Sequence, residues 1–478
     1  MSSTIITENA CQSRHHFEVV NPPLPAFMRL RGESAADINP LSRHVFPVEF
    51  DATVLPAGLY QGTVTVRCLT CRTERGCLKD RDVLHIFMTV ETEDAKNFVP
   101  GRVLVMMPYD SAEGANATAK KLAAAYGLKV EEISQLKSLK AALIVFSLPE
   151  GGDVLKKVAE LAPHVLLAQP DFLYATSNTS AGKAGASTGL QYGPRLIGSD
   201  RLHDSVTGKG VKIALVDTGL DAAHPALAGK IDEEADMTGK GFTPDVHATL
   251  LAGIMVSDPG KKNNGIAGVA PGAEILAVKA CQPQTAKAVA AQCWSLTLDK
   301  GLDFAIEKHA GVINMSLGGP AGVEDKLLKR MVDEAVNRGI PVVAAAGNDG
   351  PKAKAGLPAA LPNVIAVTAV DAREQLYPHA TRGEFVDLAA PGVEIVSTSP
   401  GGKVSVSSGT SMATAFVSAT AALLLQLQPR LSPQALRTLL ERTAKDLGQP
   451  GKDPEFGNGL VNACRAVAEL KHDGKLCR

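Results

Sequence analysis

The chain has 478 residues, 45% of them hydrophobic and 21% charged, with a formal net charge of -1. Near-neutrality gives no electrostatic reason to expect nucleic acid or an anionic membrane as a partner, and no run of about eighteen apolar residues offers a membrane span. At roughly 150 residues per domain the length predicts about three domains, with neutral polymers or small molecules as their partners.

The N-terminus, MSSTIITENACQSRHH, lacks the basic start and apolar stretch of a secretory signal. From Phe17 to about Glu91 the runs VFPVEFDATV, LPAGLYQGTVTVRC and VLHIFMTVE alternate with period two between Pro/Gly turns. This predicts a small all-β sandwich over residues 1–96, which resembles in pattern the immunoglobulin-like modules of bacterial surface proteins. Within it, Cys68, Cys71 and Cys77 form a cluster, CLTCRTERGC, that fits zinc with Cys11 as a fourth ligand, a disulfide-tied hairpin or plain thiols.

Residues 97–176 read as strand RVLVMM, helix ANATAKKLAAAYG, strands LKVEEISQL and KAALIVFSL, helix GGDVLKKVAELAP and strand HVLLAQPDFLY. The order βαββαβ is the split ferredoxin-like unit. A linker-like stretch rich in Ser, Gly, Thr and Ala follows, over 177–192. From 193 to 478, buried-strand runs such as VKIALVDTG, ILAVKA, GVINMSLGG, PVVAAAG and NVIAVTAV alternate with helical segments. That alternation predicts an α/β domain: a doubly wound, mostly parallel sheet covered on both faces, with ligands at the carboxyl ends of its strands. Cys281 and Cys293 bracket one short segment here, and Cys464 and Cys477 the C-terminal tail. Local pairs of this kind suit disulfides and a secreted or periplasmic setting, while free thiols would leave the cytoplasm open.

At the predicted strand ends and helix starts stand Asp217 after IALV, His247 opening HATLLAGIMV, and Ser411 after a Gly-Thr turn. Each alone reads as a turn, solvated or capping residue. Together, in that order on one α/β sheet, they form a Ser/His/Asp set whose chain order separates it from the α/β-hydrolases.

The segments GKGVKIALVDTGLDAAHPAL, HATLLAGI, GIAGVAPGAEILAVKA, INMSLGGP, AAAGNDGP, LAAPGVEI, SSGTSMATAF and FGNGLVNA make residues 190–468 resemble the catalytic domain of the subtilisin-like serine proteases, the subtilases. The resemblance implies a serine endopeptidase acting on protein or peptide substrates. Ser411 would be the nucleophile, His247 its general base and Asp217 the group that orients the imidazole. Asn348 and the Ser411 amide would hold the oxyanion. Ser316, Leu317, Gly318 and Gly319 would form an edge to which an extended substrate adds as a strand. No cofactor is required for this chemistry, and family members often bind structural calcium, though no local ligand motif carries over.

The sequence departs from the family at Ala248 (glycine in the family), Leu250 (a second histidine) and Ala415 (a proline); none removes a reacting group. The βαββαβ segment is similar to the inhibitory propeptide of subtilases, implying a zymogen whose own propeptide occupies the cleft until cut in the linker between Tyr174 and Gly193. A second reading keeps the fold without activity, as a binding protein whose N-terminal sandwich does the work. A nucleotide-binding reading rests on TGKG alone, which lacks the Lys-Ser/Thr pair of a phosphate loop.

Overall fold

The computed structural model describes residues 97–176, 191–258, 266–283, 291–473 and 475–477 in full, and the backbone of 2–8, 15–20, 28–30, 35–38, 43–50, 58–68, 82–90 and 179–183. Two compact units, Met1–Lys96 and Asn97–Arg478, divide the chain.

In the first unit, Ser2–Glu8, Arg43–Phe50 and Met28–Leu30 make one sheet, and Ala35–Ile38, His15–Val20, Gly58–Cys68 and Asp82–Val90 another. Both are antiparallel. The described parts of the three expected runs, 45–50, 58–68 and 83–90, lie in Arg43–Phe50, Gly58–Cys68 and Asp82–Val90, while the short or polar remaining strands carry little alternation. Cys11, Cys71 and Cys77, on which the zinc and hairpin readings rest, lie outside the described residues.

The second unit opens with β1 (Phe98–Pro108), α1 (Ala112–Tyr126), β2 (Lys129–Leu136), β3 (Ala141–Ser147), α2 (Val154–Leu161) and β4 (Leu167–Ala175). Local chemistry sets the helix ends. Ser111 Oγ accepts from Gly114 N at 3.0 Å, Asp153 Oδ1 from Lys156 N at 3.1 Å, and Gly127 ends α1 at φ 63°. The four strands pair in the order β4-β1-β3-β2, the ferredoxin-like arrangement.

The remainder is built on seven parallel strands: β5 (Lys212–Asp217), β6 (Ile231–Asp236), β7 (Glu274–Lys279), then β10 (Val312–Met315), β11 (Val342–Ala345), β12 (Val364–Val370) and β13 (Leu388–Pro391). Their order is β6-β7-β5-β10-β11-β12-β13. Central strands buried on both faces need apolar side chains at every position. Accordingly Ile213 and Leu215 point into one core with α3 (Val246–Val256) and α6 (Thr410–Leu427), and Ala214 and Val216 into another with α4 (Ser295–Glu307) and α5 (Lys326–Asn337). Among the described residues α6 is the helix long and apolar enough to cross a membrane, and it is almost wholly buried in the first of these cores. The second core is continuous with that of the ferredoxin-like segment, whose sheet packs on α4 and α5.

Two connections tie the segments further. The hairpin β8 (Cys281–Pro283) and β9 (Ala291–Trp294) extends the ferredoxin-like sheet beyond β4. Within the linker-like stretch, Thr179–Lys183 runs antiparallel to Lys403–Ser408. Its Ser, Gly and Thr residues form this strand through backbone pairing, which composition does not reveal.

Candidate active site

Asp217 ends β5 at the carboxyl edge of the parallel sheet and is fully buried. Thr218 N donates to its Oδ1 at 2.7 Å. His247 is the second residue of α3, whose cap Asp245 accepts from the His247 amide at 2.9 Å. This start turns the imidazole back onto β5, where Nδ1 lies 2.7 Å from Asp217 Oδ1. A carboxylate acceptor fixes the proton on Nδ1 and leaves Nε2 as the basic nitrogen. Burial works against the imidazolium, but the Asp217 charge and hydrogen bond, aided by Asp245, hold the His247 pKa above its ordinary value.

Ser411 lies in the first turn of α6, its hydroxyl donating to the Ser316 carbonyl at 3.1 Å while Ser316 Oγ donates to the Ser411 carbonyl at 2.9 Å. Asn314 Nδ2 donates to Ser316 Oγ, and Ser418 Oγ to Asn314 Oδ1, each at 2.9 Å. The hydroxyl of Ser316 is therefore held within the core. Among the described residues His247 Nε2 makes no hydrogen bond. The structure thus joins Asp217 to His247, and Ser411 to the Ser316 strand, without a bond between imidazole and hydroxyl. Asn348, just beyond β11, accepts from Thr410 N at 2.9 Å and from Thr410 Oγ1 at 3.1 Å through Oδ1. Its carbonyl end is thereby fixed toward the start of α6.

The edge formed by Ser316 to Gly319 is already paired. Ala175 N donates to Gly318 O at 2.9 Å and Gly318 N to Ala175 O at 3.0 Å. On its other side the same segment pairs with β9, Leu173 opposite Trp294, Tyr174 opposite Cys293 and Ala175 opposite Gln292. The end of the ferredoxin-like domain therefore lies between β9 and the Ser316–Gly319 segment that follows β10.

That domain also satisfies the starts of α4 and α5. Asp171 Oδ1 accepts from Leu296 N at 3.0 Å, and Gln169 Oε1 from Leu327 N at 3.0 Å, meeting amides with no partner inside their helices. In return Asp303 of α4 accepts from Lys137 N and Ser138 N at 3.0 and 2.8 Å.

Sequence reasoning missed this layer. Asp171, Asp299, Asp303 and Asp325 carry no local motif; Asp325 alone left a signal, as the acid just before the amphipathic run KLLKRMVDEAVN. Ala248, Leu250 and Ala415 are buried within unbroken helices, so the departures leave the site's scaffold intact. Among the described residues no group of three or more His, Cys, Asp or Glu side chains is placed to hold a metal, and no calcium site is assigned. Disulfides join Cys281 to Cys293 and Cys464 to Cys477.

Comparison with known proteins gives the family. The pattern of the Subtilase family matches residues 208–459, and that of the Fervidolysin N-terminal prodomain matches 88–171. Subtilisin E of Bacillus subtilis (strain 168) is 38% identical over 289 residues, spanning 58% of this chain and 71% of its own. A thermophilic serine proteinase of Bacillus sp. (strain AK1) is 34% identical over 376 residues, 77% of this chain and 88% of its own. Among solved structures, fervidolysin from Fervidobacterium pennivorans, a keratinolytic enzyme related to subtilisin, superposes with a TM-score of 0.66 at 26% identity. The match covers 79% of this chain and 62% of fervidolysin.

Proposed function

The chain belongs to the subtilase family and is a serine endopeptidase made as a zymogen with a prodomain, and from that premise we propose that Asp217, His247 and Ser411 carry out its chemistry. Ser411 Oγ attacks the scissile carbonyl as His247 Nε2 takes its proton; Asp217 holds the tautomer and stabilises the imidazolium. The attack requires the Ser411 hydroxyl to leave the Ser316 carbonyl. The Asn348 amide and the Ser411 N-H at the start of α6 stabilise the oxyanion.

The observation that carries this reading is the register of the chain's own prodomain. Ala175 pairs with Gly318, two residues beyond Ser316, to which Ser411 is bonded; Thr179 pairs with Ser408, three residues before Ser411. Both anchors therefore lie within three residues of Ser411 or of the Ser316 carbonyl to which it donates. Residues 97–176 thus act as the inhibitory propeptide, residues 193–478 as the catalytic domain and 177–192 as the segment that is cut, with the processing bond between Ala175 and Thr179.

The test is labelling with a fluorophosphonate and sequencing of the new N-terminus. Labelling that disappears in Ser411→Ala, with cleavage between Ala175 and Thr179, is the expected result. A folded, processed chain that takes up no probe would instead be an inactive binding protein. The two disulfides suit an oxidising compartment, and we place the enzyme's action outside the reducing cytoplasm.

A further inference from the structure

α3 begins on a carboxylate that the proposed chemistry does not use. Asp245, the residue before the helix, is half-buried, and its Oδ1 accepts from His247 N at 2.9 Å and from Thr218 Oγ1 at 3.0 Å. The Thr218 hydroxyl also lies 3.2 Å from Asp217 Oδ1, the oxygen that accepts from Thr218 N at 2.7 Å and faces His247 Nδ1 at 2.7 Å. On its other side the same hydroxyl accepts from Ala248 N at 3.2 Å. A hydroxyl has one proton. Thr218 therefore stands between two carboxylates with a single donor, and the one it does not serve keeps its full charge beside His247.

We propose that Asp245 is a positioning residue for the proteolytic reaction: by drawing the Thr218 proton to itself it leaves Asp217 Oδ1 to the His247 Nδ1–H, and its own charge favours the imidazolium formed when Nε2 takes the Ser411 proton. The inference rests on the proteolytic reading above and goes beyond its three side chains. Two observations give the proton to Asp245: the hydroxyl is nearer to it, and Asp217 Oδ1 already has two other donors where Asp245 Oδ1 has one. Burial works against the imidazolium, and the charges of Asp217 and Asp245, with the Asp217 hydrogen bond, outweigh it.

The remaining elements packed on α3 leave this role to the two carboxylates. α6 and Ile395–Ser399 carry no charged residue. β7 brings Lys279 at its carboxyl end and Glu274 at the far end, but the Lys279 ammonium is held by Gly241 O at 2.6 Å with Asp236 Oδ1 at 3.8 Å. His224, before the turn Pro225–Leu227, accepts from Ala226 N at 3.1 Å through Nδ1 and meets Lys403 O at 2.9 Å through Nε2, the bonding of a neutral ring.

The experiment follows kcat/KM against pH for the mature enzyme obtained from the full-length chain, on one quenched fluorescent peptide, since the acid limb of that parameter reports the free enzyme. Asp245→Asn removes the charge while keeping an oxygen for the His247 amide and the Thr218 hydroxyl, and asparagine caps a helix as well as aspartate does. A merely structural cap therefore leaves the midpoint of the limb where it is. The expected result is a midpoint lowered by about half a unit to one unit. In Thr218→Val, which takes away the shared proton and leaves both carboxylates at full charge, the midpoint moves up instead. Equal midpoints in the native enzyme and Asp245→Asn overturn the inference and leave the proteolytic reading standing. If that variant does not fold, Thr218→Val decides, and a midpoint unmoved or lowered there overturns the inference as well. A native enzyme that cuts the peptide at no pH overturns the proteolytic reading itself, and the inference with it.

Discussion

Gly319 and Tyr174 are in such close contact that a Cβ on the glycine would lie 2.4 Å from a carbon of the tyrosine ring. No real methyl tolerates that distance, and the neighbour is a ring held between two strands rather than a mobile side-chain tip. Gly319→Ala therefore expels the ring from its pocket. With overpacking costing about 1–3 kcal/mol, prodomain affinity should fall roughly ten- to a hundredfold. The check is the inhibition constant of the cleaved prodomain against the mature variant; an unchanged constant would show that the ring is not needed for docking.

The three candidate catalytic side chains and the candidate oxyanion donor should separate by magnitude. Ser411→Ala and His247→Ala should each lower kcat by about a millionfold, whereas Asn348→Ala should cost about a hundred- to a thousandfold with little change in KM. Active-site-titrated kinetics on one peptide measures all of them. A mild loss in His247→Ala would remove it as the base.

The acid side of the pH profile follows from His247. The working imidazole must be neutral, and Asp217 holds its pKa above the ordinary value of about 6.5. The acid limb of kcat/KM should therefore have its midpoint above that value and move down in Asp217→Asn, with kcat falling about ten-thousandfold. The same pair contributes stability that is complete below the unfolded histidine's pKa and is lost as pH rises through the folded one. A midpoint below the ordinary value would contradict the assignment.

Prodomain release should respond to pH through Asp171. Burial raises this carboxyl to about 6 from an ordinary 3.8, against the Leu296 amide and Arg102, which pull it down. The groups facing it are Arg102 from β1, Asp325 at the start of α5 and Asp299 from α4. The docked form thus binds a proton more tightly than free carboxyl does. Docking is strongest below the ordinary value and weakens as pH rises through the window from 3.8 to about 6. The change amounts to about two orders of magnitude at most, since a unit of pKa is a factor of ten. The prodomain inhibition constant, measured across that window and again with Asp171→Asn, tests this. A dependence that survives in the variant would assign the effect to another group.

The elements of the α/β domain could be read from side-chain patterning because burial on both sheet faces demands it: VKIALVDTG has no polar residue between Lys212 and Asp217. Asp217, His247 and Ser411 were recognisable because each sits in a distinctive local motif. What could not be read was what one domain does to another. Asp171 and Gln169 are ordinary residues of a strand-like run until folding brings them to the starts of α4 and α5. Nor does MSLGG reveal that the Ser316 hydroxyl donates to the Ser411 carbonyl. The strand Thr179–Lys183 was hidden for a different reason, since backbone pairing leaves no trace in a Ser/Gly/Thr-rich composition.

The caps given by Asp171 and Gln169 are temporary, although the helices they complete are permanent. When the segment bearing them is discarded, the Leu296 and Leu327 amides pass from fixed acceptors to solvent, and the mature enzyme no longer holds the full set of interactions with which it was assembled. Its endurance then depends on how slowly it opens rather than on how favourably it would close again. On the processing proposed above, the working life of the cut enzyme is set by that barrier.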